Sequence, residues 1–271
     1  MQAHIGQGTQ GLFVALSLDH QTIFLPLDLS SPWQTGQVVE AHVGRLRIGA
    51  EGGGGFCEGR DGTPYFLRRT QGLSEGRAVR LQIIAEARGH KPAMAEVTEA
   101  DLQSPSLSAC LAKFGFSGPI QVYDLDLLTN LRNHLPLDQF EWAAGDSRPL
   151  SLQADERLET SSLPCAEGQV IFESTATAHF FDVDGQGGLM ALNTAALDVI
   201  AEHIIACNLG GLIVIDFLPP ATKDQRRDLS QSMEARLARL LHRVHIHPMT
   251  ASGHLLIERQ RLGPEFLSRE R

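Results

Sequence analysis

Residues 212–217 read Leu-Ile-Val-Ile-Asp-Phe, a continuous apolar run interrupted by a single carboxylate. A run this short and this apolar is typical of a strand buried inside a sheet. Asn208-Leu209-Gly210-Gly211 precedes it and Pro219-Pro220 follows, so Gly and Pro bound it on both sides. Such a strand needs paired neighbours and a covering layer, and the flanking sequence supplies both. Residues 169–174 and 178–183 read as adjacent strands. Residues 193–208 place Ala196, Ile200 and Ile204 at helical spacing. Residues 223–242 form a long basic helix, and 244–247 and 254–259 a strand pair around 250–253. Strand, helix, strand, helix, strand predicts an α/β layer over residues 165–262.

The first half has a different rhythm. Leu12, Val14 and Leu16 alternate, then Thr22, Phe24 and Pro26, with Asp19-His20 between them as a hairpin turn. Residues 38–48, 64–69 and 78–87 also read as strands, and the four consecutive glycines in 51–56 connect two of them. Short strands with Gly-rich turns predict a small barrel. Residues 104–118 read as a loop and short helix and 119–122 as a strand. A helix follows over 125–135, capped by Asp124 or Asp126. Residues 141–151 read as a loop and 155–161 as helical. The polar N-terminus carries no secretory pattern, and no apolar run reaches the roughly 18 residues of a membrane helix. A cytoplasmic protein with no membrane partner is the expectation.

Composition narrows the function classes. Among 271 residues, 42% are hydrophobic and 20% charged, which excludes a disordered chain. Cys57, Cys110, Cys165 and Cys207 lie 53, 55 and 42 residues apart, so no pair has zinc-ligand or redox spacing. The net charge of −9 argues against a general nucleic-acid binder, but it is unevenly spread. Residues 221–271 carry +4 and the remainder −13. A cationic C-terminal segment can meet a phosphate backbone or simply form a solvated helix face.

The chemistry concentrates in acidic residues on apolar strands. Asp182 follows Phe180-Phe181, Asp184 lies two residues on and so on the same strand face, and Asp216 sits within the 212–217 run. A charge in such a setting costs several kcal/mol, of order 3–5, unless it is paired or metal-bound. Two neighbouring strands ending in carboxylates can hold a divalent cation for phosphodiester hydrolysis. A strand-end Asp capping the next loop is the plainer alternative.

These residues carry a resemblance. Phe181-Asp182-Val183-Asp184, Asn193-x-x-Ala196, Asn208-Leu209-Gly210-Gly211-Leu212-Ile213-Val214-Ile215-Asp216-Phe217 and the closing Ser252-Gly253-His254-Leu255-Leu256-Ile257-Glu258-Arg259-Gln260-Arg261-Leu262 resemble the catalytic domain of the ribonuclease E/G family. The match is close over residues 169–263. Upstream, 12–31 is similar to the family's N-terminal strands. Residues 38–95 are similar to its inserted OB-fold barrel, and 87–93 to the basic loop that closes that barrel. The resemblance implies a mixed α+β and α/β chain in four parts. These are N-terminal strands (1–32), an OB-fold RNA-binding barrel (33–100), a shortened RNase H-like remnant (101–164) and a DNase I-like catalytic domain (165–271).

It also implies an endoribonuclease cutting single-stranded RNA, with magnesium (or manganese) on Asp182 and Asp216 and 5′-phosphate and 3′-hydroxyl products. Asp184 stands where the family carries asparagine, and becomes a third ligand or a carboxylate needing a partner. The Cys-containing zinc clasp, the small dimerisation domain and the 5′-monophosphate pocket are not found. No zinc is therefore expected, and a monomer or simple dimer replaces the zinc-linked tetramer.

Several residues are candidates for the RNA itself. Phe56 and Phe66 suit base stacking or the barrel core, and Arg88 and Lys91 suit phosphates. Arg236, Arg239 and Arg243 repeat at three and four residues along one helix face. His245 and His247 share a strand face and offer phosphate support or metal-free acid–base cleavage, or are simply hydrogen-bonded imidazoles. A non-catalytic RNA-binding protein with a decayed nuclease layer is the alternative from another class.

Overall fold

A computed structural model describes residues 1–18, 21–29, 33–46, 54–87, 91–102, 107–135, 139–166, 168–238 and 244–267. Two sheets and a barrel are built from it. The first sheet begins with β1 (Gln2–Gly8), β2 (Gly11–Leu18) and β3 (Gln21–Leu27), an antiparallel meander. Leu12 to Leu18 and Gln21 to Leu27 pair residue for residue, as the alternation predicts, while Asp19-His20 lies outside the described residues.

The chain then leaves this sheet for the barrel. β4 (Val38–Leu46), β5 (Gly55–Gly59), β6 (Pro64–Leu67), β7 (Ala78–Ala85) and β8 (Ala93–Val97) close in the order β4-β5-β6-β8-β7. β6 and β8 are parallel and the other pairs antiparallel, an arrangement compatible with an OB-fold. Inward residues such as Val43, Cys57, Tyr65, Leu67, Leu81, Ile83 and Ala95 form a core of the barrel's own.

After α1 (Leu107–Ala112) the chain returns to the first sheet. β9 (Ile120–Val122) pairs parallel to β1, α2 (Leu125–His134) crosses over, β10 (Phe140–Trp142) pairs parallel to β9, and α3 (Arg148–Glu159) follows. The sheet order is β10-β9-β1-β2-β3, so the N-terminal strands and the 120–142 segment form one layer. Asp124 caps α2, accepting from Leu127 N–H at 2.8 Å. The stretch read as a loop over 141–151 instead holds the end of β10 and the start of α3, where Pro149 occupies the first turn.

The second sheet has the order β11-β12-β13-β14-β16-β15. Its strands are β11 (Ser162–Cys165), β12 (Gly168–Ser174), β13 (Ala178–Gly185), β14 (Gly211–Asp216), β15 (Val244–Ile246) and β16 (His254–Arg259). β14, the apolar run, is interior, parallel to β13 and antiparallel to β16. α4 (Leu189–Ala206) and α5 (Lys223–Leu237) cover one face. Thr222 and Gln225 form a reciprocal capping box at the start of α5. α4 is apolar and long enough to span a bilayer by composition, yet ten of its residues are buried, because it packs on β11, β12 and β13 and against β3. One core therefore runs through both sheets.

Candidate active site

Burial alternates along the three central strands of the second sheet. Phe181, Val183, Ile213, Ile215, Leu255 and Ile257 point into the helices. Phe180, Asp182, Asp184, Leu212, Asp216 and Glu258 point the other way, to solvent. A parallel register that pairs Asp182 with Asp216 sets the two carboxylates side by side where β13 and β14 end. The next strand continues the row, because Asp216 pairs with His254. His254 Nε2 lies 3.3 Å from Asp216 Oδ1.

The electrostatics follow from this packing. Partial burial pushes the Asp182 carboxyl above the ordinary carboxylate range, and the charges of Asp216, Asp184 and Glu173 push it the same way. Among the described residues, no basic side chain forms an ion pair with Asp182. Asp184 is exposed, one step beyond the last β13–β14 pair, and opposite Gln169 of β12. Among the described residues, no three His, Cys, Asp or Glu side chains converge as a ready-made metal cage. Two oxygen donors side by side nevertheless fit magnesium, which is commonly bound through one or two carboxylates plus substrate phosphate.

The loop that follows Asp216 is held from below. Asn193 of α4 is fully buried; its Nδ2 donates to Leu218 O at 2.8 Å and its Oδ1 accepts from Leu218 N–H at 3.1 Å. Before β14, Asn208 takes a left-handed conformation (φ 50°), which Asn tolerates better than most residues. Its side chain donates to Leu262 O and Pro264 O and accepts from Arg259 Nη2 at 2.9 Å. Gly211 (φ 85°) leaves no room for a Cβ beside the Arg261 guanidinium. The recognisable string around Asp216 is thus largely a clamp that fixes where β14 begins and ends. Sequence reading missed Asn193 and His254 as site residues. A buried Asn on an apolar helix face was the available signal for the first; the second lay in the closing segment that resembles the family, with no role attached to it.

The remaining candidates are distributed. Phe56 and Phe66 pair across β5 and β6, with ring centroids 5.6 Å apart. Neither belongs to the barrel core, and Phe56 is exposed. Lys91 is exposed next to β8, whereas Arg88 lies outside the described residues. Arg239 and Arg243 also lie outside them. Arg236 is engaged: its Nε donates to Asp198 at 2.6 Å and its Nη1 to Ser232 O at 3.1 Å, tying α5 to α4. His245 and His247 stack edge-on at 4.4 Å, and His247 Nε2 lies 3.2 Å from Glu258 Oε1. They sit at the edge strand, two strands from Asp216.

Two solvent-open carboxylates lie side by side on the ends of adjacent strands, in a chain that also carries a separate barrel with an outward Phe56. Residues 159–262 match the model of the Ribonuclease E/G family, so this part of the chain is similar to that family. The matched segment contains β11 through β16 with all three aspartates, His245, His247 and His254. No curated protein matches the chain. The match suggests a ribonuclease and an RNA substrate.

Proposed function

We propose that the chain is an endoribonuclease that hydrolyses single-stranded RNA with magnesium at Asp182 and Asp216, leaving 5′-phosphate and 3′-hydroxyl ends. The observation that carries this reading is the register pair Asp182–Asp216, two exposed carboxylates on adjacent strand ends within the family-matched segment. When bound there, the cation supplies charge neutralisation and Lewis acidity at the scissile phosphate. The two carboxylates hold it. Asp184 adds a third negative charge and, being exposed, can accept a hydrogen bond from the attacking water. Water oxygen joins phosphorus as the bond to the 3′-oxygen breaks, and that oxygen takes a proton. Phe180 and Leu212, exposed on the same face, offer apolar surface beside the reacting group.

The barrel is the proposed strand-holder. Phe56 and Phe66 on β5 and β6 suit base stacking, since that barrel face is the one OB-folds use for oligonucleotides. Lys91 suits a phosphate. The six-stranded layer is read as DNase I-like. The four free thiols, all buried, accord with a reducing compartment, and a monomer or simple dimer is proposed.

A 5′-labelled A/U-rich single strand incubated with magnesium or with EDTA tests the reading. Cleavage only with magnesium, and its loss in Asp182→Asn and Asp216→Asn, is expected. Cleavage that survives EDTA with 2′,3′-cyclic ends would move the chemistry to His245 and His247. Retention of RNA without products would leave a binding protein.

A further inference from the structure

We propose that His254 is a positioning residue that fixes the Asp216 carboxylate for cation binding, and that Thr250 and Ser252 fix His254 in turn. This deepens the proposed function and rests on its assignment of Asp216 as a cation ligand. The turn between β15 and β16 is closed on itself. Thr250 N–H donates to His254 O at 2.9 Å, Gly253 N–H to Thr250 O at 3.2 Å, and His254 N–H to Thr250 Oγ1 at 2.9 Å. Thr250 Oγ1 lies 3.0 Å from Ser252 Oγ, and Ser252 Oγ lies 3.1 Å from His254 Nδ1.

Two directions of donation fit these contacts, because a hydroxyl offers two acceptor lone pairs; the proposed one runs from Thr250 through Ser252 to His254. In that direction Thr250 Oγ1 accepts from the His254 N–H and gives its own proton to Ser252 Oγ. Ser252 then donates to Nδ1, which is the acceptor in this arrangement. A neutral imidazole with an acceptor at Nδ1 carries its proton on Nε2, the nitrogen that faces Asp216 Oδ1 at 3.3 Å. This contact, at ion-pair distance, restrains Oδ1 and leaves Oδ2 for the cation. A ligand carboxylate held by an outer hydrogen bond is the usual arrangement of metal sites, and loss of such a partner typically weakens metal binding about 10- to 100-fold.

The turn is also pinned to β14. Phe217 N–H donates to Gly253 O at 3.2 Å. Gly253 has φ 100°, and a Cβ there would sit 2.3 Å from Phe217 O. Glycine is required for the approach, and the approach sets His254 beside the residue preceding Phe217. The arrangement therefore belongs to the end of β14, where Asp216 sits, rather than to a free surface loop.

Manganese binding to the RNA-free protein, followed by electron paramagnetic resonance, tests this without reference to activity. Wild type, Asp216→Asn, His254→Ala, His254→Gln and Ser252→Ala are compared, with the imidazole tautomer of wild type and Ser252→Ala read from 15N shifts. The expected results are loss of the site in Asp216→Asn and a 10- to 100-fold weaker site in His254→Ala. His254→Gln, which keeps an N–H donor, should regain part of the binding. The Nε2–H tautomer should dominate in wild type and decline in Ser252→Ala. Unchanged binding in His254→Ala beside a lost site in Asp216→Asn would overturn the positioning role and leave the cation site standing. Unchanged binding in both would remove the cation site itself. Should His254→Ala fail to fold, an Nδ1–H tautomer in wild type would overturn the proposal.

Discussion

At Asp182, burial and three other carboxylates act in one direction, and the sign of the consequence is fixed. The folded state holds the Asp182 proton more tightly than the unfolded chain does, so this group favours folding at low pH. That contribution is lost as pH rises from the ordinary carboxylate value through the raised one. In EDTA, Asp182→Asn should therefore raise Tm at neutral pH and leave it unchanged near pH 3. Thermal melts at the two pH values check this, and a lower Tm at neutral pH would contradict it. On the barrel, Phe56→Ala should weaken single-stranded RNA binding by about 1–3 kcal/mol with little change in Tm, because that ring lies outside the core. Fluorescence anisotropy reads the first and a melt the second. Asp182 and Asp216 were legible from sequence because a charge inside an apolar run is a local anomaly. His254 was not, because its significance comes from a strand paired across the sheet. Arg236 looked like one of a basic stripe, yet a partner on another helix occupies it.

At the scale of elements, the residue that joins α4 to the end of β14 is Asn193, whose amide satisfies both backbone groups of Leu218. Asn193→Ala strands that pair in a buried setting and should cost about 1–3 kcal/mol per unsatisfied group. It should also lower magnesium-dependent cleavage by loosening the loop after Asp216. Urea unfolding and single-turnover rates test the two parts; unchanged stability would refute the clamp. Five strands of the second sheet were readable, because its central members are apolar and bounded by turn residues, whereas the four-residue β11 was not. β1 was not. Its sequence, Gln-Ala-His-Ile-Gly-Gln-Gly, has little β-branched character, and it is buried because β2 and β9 pair on either side of it. β10 has only three residues and takes its identity from β9. α3 starts earlier than its apolar pattern, at a turn opened by Pro149.

For the whole molecule, the two sheets share one core while the barrel keeps another. Calorimetry should therefore show two transitions, and Cys57→Ser, a hydroxyl placed in the barrel core, should lower only one of them. A single transition that shifts as a whole would show that the barrel does not melt by itself. The C-terminal segment is tied to the second sheet by Glu265, which meets buried His179 at 3.2 Å and accepts from Gly210 N–H at 3.1 Å. Burial draws the Arg259 guanidinium down to about 10, and the nearby Glu265 charge opposes that. The barrel leaves the first sheet after β3 and returns to it at β9, so both of its roots enter the same layer. The roots are stitched as well: Thr35 Oγ1 donates to Glu86 at 2.5 Å, and the Cys110 thiol donates to Thr35 O at 3.0 Å. A body hung from two stitched roots behaves as a ruler, where one on a single tether behaves as an arm. If the barrel grips the strand and the second sheet cuts it, cuts should fall at a set number of nucleotides from the gripped bases. Fragment lengths would then cluster instead of spreading.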